Sequence, residues 1–237
     1  MARLRANKSL LKQWIRSEDW QEHIEQIMWM EPKEVVSPLL SFVLLDDDMK
    51  YRSAYILGHC VAMMADNSLE DARNIMRRLM WHMNEESGNI GWGIPEVMAE
   101  VCVQSERIAK DFSSIVLSYI IDTGRDDNYC DHDILRRSCY FAVGRLVSAR
   151  PKLCVKIIPW LMKSIAGAEH DVICRMMAIW ALAQFPKESL PTFEIFSLLR
   201  QVEQSNIEIL DGTCRIFDGK EVQTVVVRDI LKSSTLL

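Results

Sequence analysis

One four-residue pattern recurs along this chain, as YILG at residues 55–58, FAVG at residues 141–144 and WALA at residues 180–183. Each copy has an aromatic residue, one variable residue, an aliphatic residue and a small residue. The small residues are 86 and 39 positions apart, so the longer interval fits two units of about 40 residues, a period typical of two-helix repeats. We expect the missing copy near residue 101, where residues 95–101 are helical in pattern but degenerate.

A second amphipathic helix is predicted after each copy. After the first copy, residues 68–71 (SLED) resemble a capping box, and apolar residues then fall on one helical face as far as Met83. Residues 20–30 and 37–45 predict an earlier hairpin, with Pro38 at a helix start. The small residue of each copy predicts a close approach between helices. A single hairpin cannot bury its apolar face alone, so neighbouring hairpins must stack.

These patterns predict an all-α fold, a right-handed α-α superhelix (a HEAT/armadillo-like solenoid) of about five helical hairpins with a small β-hairpin-like C-terminal cap. Residues 1–204 are the predicted repeat domain. Residues 205–237 are the predicted capping segment of the same globular unit. Two Asp-Gly pairs, at residues 211–212 and 218–219, favour the hairpin, whereas the state of residues 220–237 is left open.

The charge distribution argues against nucleic-acid binding. The net charge is -5, and five basic residues and no acidic residue lie within residues 1–17. The remaining body is therefore acidic, whereas non-specific binding to DNA needs clustered cations. The odd number of cysteines, seven, without a CxxC pair, favours free thiols in a reducing compartment. We find no signal peptide pattern and no apolar run that predicts a transmembrane segment, so we expect a cytoplasmic protein.

One segment is not explained by packing alone, the loop NEESGNIGWGIPE at residues 84–96. Three of the nine glycines lie within residues 88–93 around Trp92, and such a loop can adopt positive φ and bring backbone amides together. A turn between repeats that places Trp92 in the core explains the same residues. Polar residues also follow each small repeat position, at His59, Arg145 and Gln184, and equivalent positions of a repeat can line one surface. The candidate binding residues are Trp81, Asn84, Glu85, Glu86, Trp92, Glu96 and Arg145.

The sequence contains no complete set of residues for catalysis or for metal binding. The run Cys130-Asp131-His132-Asp133 has metal-binding donor types, but adjacent side chains diverge, and Asp131 and Asp133 are instead candidate helix N-caps. His170 and Cys174 have i, i+4 spacing without further ligands nearby. No nucleophile motif is present. We therefore expect no metal, no cofactor and no catalytic residue, so that an enzyme is the less favoured class.

Residues 72–81 (ARNIMRRLMW) and the loop at residues 84–96 resemble a small family of HEAT-like proteins from anaerobic, often sulfate-reducing, bacteria. Shorter matches lie at residues 117–120 (LSYI) and 144–146 (GRL), and the resemblance covers most of the chain. It implies an α-α superhelix and no established activity. The chain departs from the pattern at Asn89, where relatives carry a further glycine, and around residues 126–130.

More distant HEAT-type relatives include enzymes. Deoxyhypusine hydroxylase-like proteins hold iron with His-Glu pairs, and this sequence has no His-Glu dipeptide. Alkylpurine glycosylase-like proteins grip DNA with a basic face, which the acidic body does not match. Phycobilin lyase-like proteins attach bilins to cysteines, and this possibility stays open.

Two functional hypotheses follow. The first is a non-catalytic protein-interaction or scaffold module that holds a protein partner. The alternative is a small-molecule or cofactor-handling protein, similar to the lyase-like relatives, with a pocket at the Glu85 to Glu96 loop. A weaker third possibility is that residues 1–17 dock on an anionic membrane surface through Trp14.

Overall fold

The computed structural model describes residues 2–125, 127–167 and 171–234, excluding the side chains of residues 2–4 and Glu85. These residues are mostly helical, with one small two-stranded antiparallel sheet near the C-terminus. The chain divides into two compact units. Unit 1 comprises Met1–Phe112 and Phe217–Val222, and unit 2 comprises Ser113–Ile216 and Gln223–Leu237. The predicted boundary at residue 204 stays a prediction.

Unit 1 contains the first six helices and the start of a seventh. They are α1 (Ala2–Arg16), α2 (Ile24–Met28), α3 (Pro32–Phe42), α4 (Asp47–Asn67), α5 (Leu69–Met83), α6 (Ile94–Gln104) and α7 (Glu106–Ser118), with short 3-10 turns at Trp20–His23 and Glu85–Ser87. Side chains fix two of the starts, because Asp46 Oδ1 accepts from Met49 N at 3.1 Å and Ser68 Oγ accepts from Asp71 N at 3.4 Å. The predicted cap at Ser68 is confirmed.

The core of unit 1 is built around α4, which contacts α3, α5 and α6. Gly58 sets the distance between α4 and α6, since a Cβ built on Gly58 would lie 2.9 Å from the backbone carbon and oxygen of Glu100. The predicted close approach is therefore confirmed here. Ala72, Met76 and Leu79 of the predicted stripe on α5 are fully buried.

The predicted start of a helix at Pro38 is wrong. The helix begins at Pro32, and Pro38 lies inside it. Pro32 occupies the first helical turn, where a missing N–H costs no hydrogen bond, so the first proline gives the start signal. The helix continues through Pro38 to Phe42, and Val35, Leu39 and Phe42 are buried.

Unit 2 contains the end of α7 and the remaining helices and strands. They are α8 (Asp133–Ala149), α9 (Pro151–Cys154), α10 (Ile158–Ala166), α11 (Val172–Ala183), α12 (Thr192–Ser205), α13 (Ile207–Asp211), β1 (Thr213–Phe217), β2 (Val222–Val226) and α14 (Val227–Ser233), with 3-10 turns at Val155–Ile157 and Lys187–Ser189. The ends of β1 and β2 that adjoin the turn, Phe217 and Val222, are assigned to unit 1.

Helices α8 and α11 form the central pair of unit 2. The rings of Phe141 and Trp180 stack with their centroids 5.5 Å apart, and a Cβ on Gly144 would collide with the Trp180 ring. Both aromatic residues belong to the repeated pattern. The small residue of one copy, Gly144, therefore contacts the aromatic residue of the next copy, Trp180. The predicted N-caps at Asp131 and Asp133 are wrong. His132 caps α8, because its Nδ1 accepts from Leu135 N at 3.3 Å, while Asp133 pairs with Arg136.

The C-terminal segment confirms one of the two predicted Asp-Gly turns. Asp218 Oδ1 accepts from Lys220 N at 2.8 Å and from Glu221 N at 2.9 Å, and Gly219 has φ 98°. Residues 207–211 instead form α13, with Ile209 and Leu210 buried side by side. Two successive buried residues suit a helix on a core and not a strand, whose neighbours face opposite ways. Within unit 1, the Phe217 ring stacks on Tyr51 with centroids 5.7 Å apart.

Candidate functional site

The loop between α5 and α6 is held by local hydrogen bonds. Asn84 ends α5, and its side-chain oxygen accepts from Glu86 N at 2.8 Å. Trp81 and Glu86 are exposed, Trp92 is half-buried, and the side chain of Glu85 lies outside the described part of the structure. The Asn84 side chain therefore stabilises its own turn, and Asn84, Trp81 and Glu86 are the described members of this group that are exposed to solvent.

The glycines of this loop serve its packing. Gly88 and Gly93 have φ of 68° and 73°, the left-handed region that side chains disfavour. A Cβ on Gly91 would lie 2.7 Å from Met83 Sδ, and one on Gly93 would lie 2.6 Å from Val43 Cβ. The predicted positive φ is confirmed at Gly88 and Gly93. The close contacts at Gly91 and Gly93 show that the loop folds back on the end of α5 and against the end of α3.

Glu96 lies inside unit 1, not at its surface. It is fully buried, and its Oε1 is 3.7 Å from the Lys50 ammonium. Lys50 also reaches Asp47 Oδ1 at 3.0 Å and lies 4.4 Å from the centre of the Tyr51 ring. Burial alone would lower the pKa of Lys50, but the Glu96 charge, with Tyr51 and Asp47, raises it above its ordinary value. This arrangement is an ion pair between a fully buried carboxylate and a half-buried ammonium, and it joins α4 to α6.

Arg145 is half-buried on α8 and belongs to unit 2, whereas the other predicted site residues belong to unit 1. The other two residues predicted to line one surface with it bond to their own helices. His59 Nδ1 lies 3.0 Å from Tyr55 O, and Gln184 Nε2 donates to Trp180 O at 3.1 Å. The binding role of the predicted site residues stays a prediction.

The structure shows a cavity that the sequence did not predict, on a different side of α4. Its volume is about 450 Å³, and it opens between the turn after α2, the start of α3, the end of α4 and the start of α5. We name it the methionine groove. Its main apolar lining is Met28, Trp29, Met30, Val35, Met63 and Met64.

The lining combines adaptable and exposed apolar side chains. The four methionines are half-buried, and flexible thioether chains can repack around a ligand. Trp29 is 78% exposed, although a tryptophan gains much from burial. Two neighbours in sequence, Met28 and Met30, flank this tryptophan. The run Met28-Trp29-Met30 and the pair Met63-Met64 are the sequence signals that could have indicated the groove.

The charged residues described in the lining of the methionine groove are all acidic. Glu31, Asp66 and Asp71 line it and are exposed, and none of the described lining residues is basic. Cys60 also reaches the groove, but burial raises the pKa of its thiol to about 12, so it stays protonated at neutral pH and is a poor nucleophile. The groove is therefore an apolar surface with an acidic rim.

The apolar face of the N-terminal helix, α1, packs inside unit 1. Leu11 and Ile15 are fully buried, and the Trp14 ring stacks on His23 with centroids 5.0 Å apart. Arg52 Nη1 donates to Ile15 O at 2.9 Å and closes the end of α1. Among the residues that the structure describes, none of the helices has the length and apolar character needed to cross a membrane.

A metal-binding cluster is not found in the described residues, where no group of three or more His, Cys, Asp or Glu side chains could hold an ion. His170, which the i, i+4 spacing pairs with Cys174, lies outside the described residues. Cys174 is buried, with its Sγ 3.7 Å from Asp133 O.

The chain is similar over part of its length to one known protein. No family model and no solved structure matches the chain. The chain is similar to an uncharacterised protein of Archaeoglobus fulgidus, with 29% identity over 101 residues. That stretch is 42% of this chain and 52% of the relative, so the chain spans about half the length of the relative it matches.

Proposed function

We propose that this protein is a non-catalytic, cytoplasmic protein-interaction module, and that its methionine groove binds a basic amphipathic helix of a protein partner. The observation that carries this proposal is the groove itself. It is an apolar cavity of about 450 Å³ with a tryptophan that is 78% exposed at its edge. Interface energy is concentrated in such anchors, and tryptophan is over-represented among them.

A HEAT-like solenoid is the architecture that we propose around the groove. Within unit 1, α4 contacts both its neighbour α5 and the next but one helix, α6; within unit 2, α8 contacts α11 and α10 contacts both α11 and α12. Contacts between successive helices and between equivalent helices of adjacent repeats are those of stacked helical hairpins. The small residues at Gly58 and Gly144 of the repeated pattern lie at these contacts. Solenoids commonly use their surfaces for binding.

The chemistry of the partner follows from the charge and the backbone of the groove. The acidic rim of Glu31, Asp66 and Asp71 favours a partner with lysine or arginine beside its apolar residues. The groove is formed mainly by helices, so it offers side chains and no sheet edge to which a strand could add. A partner that satisfies its own backbone hydrogen bonds, namely a helix, suits this surface best.

The test uses a fluorescently labelled amphipathic peptide of leucine and lysine, of about 14 residues so that it can be helical. We expect anisotropy to show binding that Trp29→Ala weakens by about 30-fold, the effect of losing a hot-spot contact of about 2 kcal/mol. The matched control is Trp81→Ala, which removes the exposed tryptophan at the other predicted site and should leave binding unchanged.

A second peptide, with every lysine replaced by glutamate, tests the role of the rim. We expect it to bind much more weakly, because its charge repels the acidic rim. Equal binding of both peptides, or loss of binding in Trp81→Ala with none in Trp29→Ala, would contradict the proposal. The latter result would favour the small-molecule or partner site at the Glu85 to Glu96 loop.

A further inference from the structure

Two cysteine side chains meet where the loop before α8 joins that helix. Cys130 lies three residues before the start of α8, and Cys139 lies within the helix. A hydrogen bond joins their side chains. Cys130 is 8% exposed and Cys139 is fully buried, so Cys130 is the more accessible residue of the pair.

The backbone on both sides of Cys130 is fixed. Its N–H donates to Tyr119 O at 3.0 Å, and its carbonyl oxygen accepts from Arg136 Nη1 at 3.0 Å. Its Sγ lies 3.8 Å from His132 O. These contacts fix Cys130 in the position in which its side chain hydrogen-bonds with Cys139, and a disulfide requires the two sulfurs to approach to about 2.0 Å.

The electrostatic setting of Cys130 differs from that of four other thiols. Burial raises the pKa of Cys60, Cys154, Cys174 and Cys214 to about 12. The hydrogen bond with Cys139 lowers the pKa of the Cys130 thiol against the opposing effect of burial, and the Arg136 charge acts in the same direction. Thiolates are the form of cysteine that peroxides oxidise.

We infer that Cys130 and Cys139 are a modification site at which hydrogen peroxide forms a disulfide. In the first step the Cys130 thiolate attacks one peroxide oxygen. An S–O bond forms, the O–O bond breaks, and hydroxide leaves and takes up a proton as water. In the second step the Cys139 sulfur attacks the sulfenic acid, the S–S bond forms, and the S–O oxygen leaves as a second water. Overall, two thiols lose two hydrogen atoms and one peroxide becomes two water molecules.

The sequence makes this disulfide easy to detect. Trypsin cleaves after Arg125, Arg136, Arg137 and Arg145, so that Cys130 and Cys139 fall in separate peptides, 126–136 and 138–145. After treatment of the native full-length protein with peroxide and alkylation of remaining thiols, we expect mass spectrometry to find these two peptides joined. Dithiothreitol should separate them.

Three variants define the roles of the two sulfurs. Cys139→Ser should leave a sulfenic acid on Cys130 that dimedone traps, and Cys130→Ser should abolish the linked peptides. Cys154→Ser, which removes a buried thiol elsewhere in unit 2, is the matched control and should leave linking unchanged. In the wild type, oxidation at Cys130 should be at least about tenfold faster than at Cys154, as thiolate character predicts.

Two results would overturn the inference. One is equal oxidation of Cys130 and Cys154 with no linked peptides. The other is a disulfide between Cys130 and Cys174, whose peptide, 164–175, is distinct after cleavage. Neither result bears on the methionine groove, which lies in unit 1.

Discussion

Replacing Gly58 with alanine tests the contact between α4 and α6. In an isolated helix this substitution stabilises by about 1 kcal/mol, because glycine loses more backbone freedom on folding. In this protein the new Cβ would lie 2.9 Å from three atoms of Glu100, two of them backbone. Real Cβ atoms do not approach backbone so closely, and α6 cannot withdraw without disturbing its buried residues Val97 and Val101.

Overpacking of a core typically costs about 1–3 kcal/mol. A clash with backbone falls at the upper end of that range, since no side chain can rotate away. Subtracting the gain in helix propensity leaves a net loss of about 1–2 kcal/mol in the free energy of unfolding for Gly58→Ala.

Urea denaturation followed by far-UV circular dichroism measures this loss. The matched control is Ala62→Gly in the same helix, at a half-buried position, which should cost about 1 kcal/mol through propensity alone. We therefore expect both variants to be less stable than the wild type, although one replaces glycine with alanine and the other replaces alanine with glycine. A Gly58→Ala variant that is about 1 kcal/mol more stable than the wild type would refute the close approach of the two helices.

Three further substitutions test other contacts of unit 1. Lys50→Met should cost about 3 kcal/mol at pH 7, because fully buried Glu96 would lose the Lys50 ammonium. Because the pKa of Lys50 in the folded protein lies above the ordinary value of 10.5, its contribution is complete below about pH 10.5 and falls gradually as the pH rises towards the folded-state pKa. Urea denaturation should therefore show the difference from wild type beginning to shrink at pH 11. Asp46→Ala should cost about 1 kcal/mol through loss of the cap to Met49 N, whereas Asp46→Asn should retain most of it in the same assay. Phe217→Ala should cost about 4 kcal/mol and weaken near-UV dichroism, and unchanged stability would contradict its burial.

The repeated pattern predicted much of the helical packing. Gly58 and Gly144 lie at helix contacts because a position without a bulky side chain is where a neighbour can approach, and that rule needs only local sequence. Ser68 was predictable for the same reason, since a cap depends on residues within one turn. Pro38 was predicted wrongly as a helix start because a second proline, Pro32, is an equally good local signal. Residues 207–211 were predicted wrongly because their β-prone residues precede an Asp-Gly pair, which is a local signal for a hairpin turn.

Each half of the methionine groove has a local sequence signal, but no local pattern shows that the two halves meet. Met30 and Met63 are far apart in the sequence, and only the packing of α3 against α4 brings them to one cavity. The loop at residues 84–96 is the reverse case, because its local pattern predicted a site where the structure shows packing. Its glycines and Glu96 attracted a functional interpretation, whereas the structure shows that Gly91, Gly93 and Glu96 have close packing partners.

The measurement that tests the central claim most directly is nuclear magnetic resonance of the protein labelled with ¹³C at the methionine methyl groups. On titration with the leucine-lysine peptide, the methyl signals of Met28, Met30, Met63 and Met64 should shift together. The signals of fully buried Met76 and of half-buried Met83, whose sulfur lies beside Gly91, should keep their positions. A shift of Met83 without the groove methionines, or no shift of any methionine methyl at saturating peptide, would contradict the claim that this protein binds its partner in the methionine groove.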